Sequence, residues 1–79
     1  MNDMADRWLV ELSTSLGVVA PTRQEIEDLL RLAGIAARSS ERMAAPVSTW
    51  LVAKSQLTTT EALEIAERLA LTFNTTQDE

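Results

Sequence analysis

Seventy-nine residues and a mass of 8.7 kDa, with a formal net charge of −5 and a pI near 4.6, fit one domain with one modest core. The chain has neither cysteine nor histidine, which excludes disulfides, thiolate sites and imidazole chemistry and suits a reducing cytoplasm. The acidic surface repels phosphate backbones, and apolar runs of a few residues fall far short of the roughly 20 that span a bilayer, so neither nucleic acid nor a membrane is an expected partner.

Two glycines, two prolines and an abundance of Ala, Leu, Glu and Arg favour helices, because straight-chain residues lose little rotamer freedom there. The N-terminal MNDMADRW carries Asp3 and Asp6 where a secretory leader carries positive charge, which adds to the expectation of a cytoplasmic protein. In the first segment Met4, Ala5, Trp8, Leu9, Leu12 and Leu16 recur at three-and-four spacing and predict one apolar helix face, with Asp3 as N-cap. Gly17 should end this helix, since glycine takes the left-handed conformation without steric cost.

After the connector Val18-Val19-Ala20-Pro21, Thr22-Arg23-Gln24-Glu25 reads as a capping box. Ile26, Leu29, Leu30, Ala33 and Ala37 then form the inward stripe of a second helix, with Glu27 and Arg31 outside and Gly34 marking a close helix approach. Pro46 suits the first turn of a third helix, whose Val47, Trp50 and Leu51 should face the core. Thr58 and Glu61 form a second capping box, and Ala62, Ile65, Ala66, Leu69 and Phe73 line the fourth helix. The predicted fold is all-α: a compact single-domain bundle of four short amphipathic helices over residues 1–74, at about 3–16, 22–40, 46–56 and 59–73, with a disordered polar tail at 75–79.

No catalytic constellation is visible. Without histidine, general-base work falls to a carboxylate or Lys54, yet Asp3, Asp6, Glu25 and Glu61 all sit at helix starts, where they cap free amides, and Glu64 and Glu67 fall on the solvent side of the fourth helix. No acidic cluster has the spacing of a calcium loop and no glycine-rich phosphate cradle exists, so neither metal nor cofactor is expected and the chain reads as a non-enzyme.

Two stretches are candidate contact surfaces. Arg31, Arg38 and Arg42, spaced seven and four, share a stripe opposite the core with Ile35 if the second helix continues, and would present a basic protein-binding surface. The helix start at Val47, Ser48 and Thr49 offers free amides to an anion or a partner carboxylate. Ser48 invites comparison with acyl carrier proteins, whose modified serine stands in Asp-Ser-Leu; here the triplet is Val47-Ser48-Thr49. A helix-turn-helix reader is disfavoured because the third and fourth helices offer only Lys54, Gln56 and Arg68 to DNA. Val10, Ile35, Val52 and Leu71 lie off the main apolar faces, which leaves homo-oligomerisation open.

The string ERMAAPVSTWLVA, residues 41–53, together with the opening Trp8-Leu9 to Leu16-Gly17, resembles a family of small bacterial helical domains of unknown function. These domains occur alone or attached to the C-terminus of molybdenum cofactor guanylyltransferases. Glu41-Arg42, Ala44-Ala45-Pro46, Thr49, the aromatic Trp50 and Leu51 match the family's central pattern. Met43 stands where that family tends to have proline, Gly34-Ile35 where it has a charged pair, and Arg38 where it has histidine. The resemblance implies a non-catalytic accessory or protein-interaction domain connected with molybdenum cofactor biosynthesis, and it brings no catalytic residues. The readings from other classes are a small-molecule or acyl carrier using the helix start at Ser48, and a self-associating structural module.

Overall fold

Helix starts and stops follow the local capping chemistry. The computed structural model describes residues 3–77, with side chains over 4–73, and contains α1 (Asp3–Leu16), α2 (Arg23–Ser39), α3 (Ala44–Ser55) and α4 (Thr59–Gln77). The chain is a single all-α domain, as its periodicity predicts, and the described residues include no strand.

Gly17 closes α1 at φ 75°. Its amide donates to the Thr14 carbonyl at 3.1 Å and that of Val18 to the Ser13 carbonyl at 3.0 Å, the paired bonds of a Schellman cap. At the head of α2 the Glu25 amide donates to Thr22 Oγ1 at 3.0 Å, while the Thr22 amide donates to Glu25 Oε1 at 2.8 Å. The same reciprocal pair, at 3.1 and 3.0 Å, joins Glu61 and Thr58 before α4.

The remaining boundaries depart from expectation. Asp3 belongs to the helical span of α1 instead of preceding it. The second helix ends at Ser39, and the third begins at Ala44, two residues ahead of Pro46. A turn makes the earlier start workable: the amides of Ala44 and Ala45 donate to the carbonyls of Glu41 and Arg42 at 2.9 and 3.1 Å. Pro46, with no amide hydrogen, still occupies the first turn. The fourth helix continues to Gln77, so residues 75–77 of the expected tail are helical; each residue added to an existing helix gains a bond without a new nucleation cost. Residues 78–79 of that tail lie outside the described residues.

Helix α2 is the central element and packs against both α3 and α4. Leu32 of α2, only 4 % exposed, meets Ala62 and Leu63 of α4, and Ile35, Val52 and Ala66 pack around them. Ile35 is therefore a half-buried neighbour of the core and not an exposed member of an arginine stripe. Val47, Trp50 and Leu51, expected inside, are all exposed, and Val52 is the α3 residue that packs against the core. The sequence of α3, AAPVSTWLVAKS, is apolar nearly all round, so periodicity has no polar face by which to orient it.

Helix α1 departs furthest from its pattern. Met4, Trp8, Leu12 and Leu16 are exposed, while Leu9 is half-buried and Ser13 is buried, its hydroxyl donating to the Leu9 carbonyl at 2.7 Å. This narrow inward stripe flanks a cleft with Ala20, Pro21, Arg23 and Ile26, at the N-terminal end of α2. Gly34 marks no close helix approach either. A Cβ there meets only the guanidinium of Arg38 from its own helix, at 3.0 Å.

Candidate functional site

A concave surface lies between the C-terminal half of α2, the inner face of α3 and the length of α4. Its volume is about 330 Å3. Leu32, Ile35, Val52, Ala62 and Ala66, which form or adjoin the core, lie along it; Leu51 and Leu57 come from the α3 side, and Ile65, Leu69 and Phe73 from α4. Ser39, Ser40, Ser48 and Ser55 also line it, together with three further alanines, and the lining contains no titratable side chain. The Ile65–Leu69–Phe73 stripe, spaced four and four, lies along one helix face and has the helical spacing of a surface meant for burial. Here it remains exposed: Leu69 keeps 55 % of its surface in solvent.

The two candidate surfaces drawn from the sequence resolve differently. Arg31 reaches across to α4 and pairs with Glu67 at 2.9 Å. Glu67 is half-buried by that contact instead of standing free on the solvent side. Arg38 is exposed beside Gly34, and Arg42 lies in the turn beyond the end of α2, so the three arginines do not form one helical stripe. Because the third helix already begins at Ala44, the amides of Val47 and Ser48 fall within its hydrogen-bonded ladder and do not form an open anion-binding start. Thr49 donates its hydroxyl to the Pro46 carbonyl at 2.7 Å, and the half-buried Ser48 lines the groove.

Asp28, which sequence reasoning passed over, is the buried carboxylate of α2 at 6 % exposure. Its Oδ2 accepts from the hydroxyls of Thr59 and Thr60 at 2.9 Å each, and its Oδ1 accepts from Gln24 Nε2 at 2.9 Å. The Thr59 hydrogen bond, joined by those from Thr60 and Gln24 and by the charge of Arg31, holds its pKa below the ordinary 3.8 against the opposing effect of burial. A carboxylate stabilised in its ionised form by three donors is a poor proton acceptor near neutral pH; it ties α2 to the first turn of α4. The one local signal was Gln24, four residues before it on the same face.

Among the described residues no group of three His, Cys, Asp or Glu side chains could hold a metal ion, and no helix is long and apolar enough to cross a membrane. No curated protein and no solved structure matches the chain significantly. A family model does match, over residues 1–78, and its length leaves almost nothing of the chain outside it. The chain belongs to the family described as Domain of unknown function (DUF6457).

Proposed function

We propose that the protein is a non-catalytic accessory domain that acts by binding another polypeptide, and that its docking surface is the groove between α2, α3 and α4. The observation that carries this reading is the exposed Ile65–Leu69–Phe73 stripe facing a groove without a titratable lining residue. Apolar surface left open in this way attracts an apolar partner face, while the lining offers no acid, base or metal ligand to a substrate. The resemblance at residues 41–53 supports a connection with molybdenum cofactor biosynthesis in the cytoplasm. The test is co-purification from the native cell with the wild-type chain and with Leu69→Glu, together with molybdoenzyme activity after deletion of the gene. Recovery of a cofactor-synthesis protein by the wild type only, and loss of that activity, is the expected result. No such protein recovered and activity intact would refute the connection.

A second reading draws on one observation, the position of Ser48 in an apolar groove at the lower end of the range for small-molecule sites. It makes the domain a binder or carrier of a small acyl group. Intact mass after incubation with a phosphopantetheinyl transferase, and thermal stabilisation by a medium-chain fatty acid, would support it; neither response would remove it.

A further inference from the structure

The groove and helix α1 pose complementary problems. The groove lacks a cover, and α1 carries an apolar face turned to solvent: Trp8, Leu12 and Leu16 repeat every four residues along one side, and Trp8 is 64 % exposed. The helix of 14 residues is about 21 Å long, and the α4 wall from Ala62 to Phe73 runs about 17 Å, so one helix of this length spans the groove.

A chain's own α1 is poorly placed to do so. It sits beside Arg23 and Ile26 at the opposite end of α2, and its exit is fixed by the Schellman bonds at Gly17 and Val18 and by Pro21 in the connector. The surface area points the same way. A compact monomer of 8.7 kDa presents about 4,700 Å2, whereas this chain presents 6310 Å2, about 1,600 Å2 more. Covering half of that excess on each of two copies buries about 1,600 Å2, the size of a standard stable interface. Charge agrees on the α3 side: residues 3–16 hold Asp3, Asp6 and Glu11 against Arg7, and residues 38–55 hold Arg38, Arg42 and Lys54 against Glu41.

We propose that the occupant of the groove is helix α1 of a second copy of this chain, exchanged reciprocally in a two-fold dimer, with Trp8 as the anchor against Leu69 and its neighbours. Each protomer then supplies the lid that the other lacks, and both contacts are identical by symmetry. The inference rests on the reading of the groove as a docking surface; a second copy seated there leaves no room for a different protein in the same groove, so the two occupants compete.

Sedimentation equilibrium of the full chain should give twice 8.7 kDa at micromolar concentration. Trp8→Glu and Leu69→Glu change residues that are exposed in the single chain, so each should keep its helical circular dichroism while weakening the dimer by at least about tenfold. Mixing the two variants should restore dimers in part, because the mixed dimer holds one wild-type α1–groove contact and one that is changed on both sides, whereas in either variant alone both contacts are impaired. In Trp50→Phe, the emission of the remaining Trp8 should move to shorter wavelength as the chain concentration rises. The proposal is overturned by a chain that stays monomeric, by a dimer that both variants leave intact, or by shielded Trp8 emission in a chain that sediments as a monomer, which would mean that α1 closes over its own groove. A monomer whose partner capture is still abolished by Leu69→Glu would overturn the second copy as occupant and leave the docking surface standing.

Discussion

Asp28 and Thr59 meet at 2.9 Å across 31 positions of sequence, and Thr60 donates to the same carboxylate oxygen. This contact, with the ion pair of Arg31 and Glu67 further along, joins α4 to α2 at two points along their shared length. The two are unequal. Arg31 and Glu67 are substantially exposed, so their pair is screened and worth less than about 1 kcal/mol, whereas Asp28 is buried with every hydrogen bond satisfied.

Replacement of Asp28 by Ala should therefore lower the melting temperature more than replacement of any other single carboxylate. It leaves the hydroxyls of Thr59 and Thr60 without their acceptor. Glu27→Gln, on the solvent side, is the control and should change little. Thermal unfolding followed by circular dichroism compares them directly.

Acid should reproduce part of that loss. The native pKa of Asp28 lies below its ordinary 3.8, so the folded state binds its proton more weakly than the unfolded state does. Its contribution is complete above the ordinary value and falls away as pH drops through the lowered native one. Denaturant unfolding from neutral pH to about pH 2 should show the wild type losing stability in the acid range more steeply than Asp28→Asn, which has no charge there to lose. Parallel curves would contradict the assignment.

The two glycines should respond to alanine with opposite sign. At Gly17 nothing obstructs a Cβ, but φ is 75°, so Gly17→Ala should cost about 1 kcal/mol through backbone strain alone. At Gly34 the backbone is helical and only the mobile end of Arg38 must move, so Gly34→Ala should gain about 0.5–1 kcal/mol. Chemical denaturation midpoints check both.

Leu32→Ala should be the most damaging apolar truncation, at about 3 kcal/mol, because Leu32 is the most buried apolar side chain of a small core. Leu30→Ala, two residues earlier on the far side of the helix and 68 % exposed, should stay within about 0.5 kcal/mol. Equal losses would mean that the packed side of α2 has been assigned wrongly.

What the sequence by itself determined is local. Thr22 with Glu25, Thr58 with Glu61, and Gly17 after Leu16 mark their helix ends because the partners lie within five residues, where local backbone geometry decides which groups meet. All-α character followed from the same marks and from apolar spacing. Which face each helix buries was decided only by the tertiary structure. Helix α3 is apolar around its circumference, so its contact with α2 selects Val52 and turns Trp50 outward. Helix α1 has a clear apolar stripe, yet it rests on Leu9 and Ser13 and leaves Trp8 in solvent. Asp28 was hidden for the same reason, since its hydroxyl donors are brought to it by the crossing of two helices more than 30 positions apart. Amphipathic spacing tells which residues would gain by leaving water; which of them find cover depends on where the neighbouring helices lie, and in this chain α2, α3 and α4 leave a groove that their own residues do not fill.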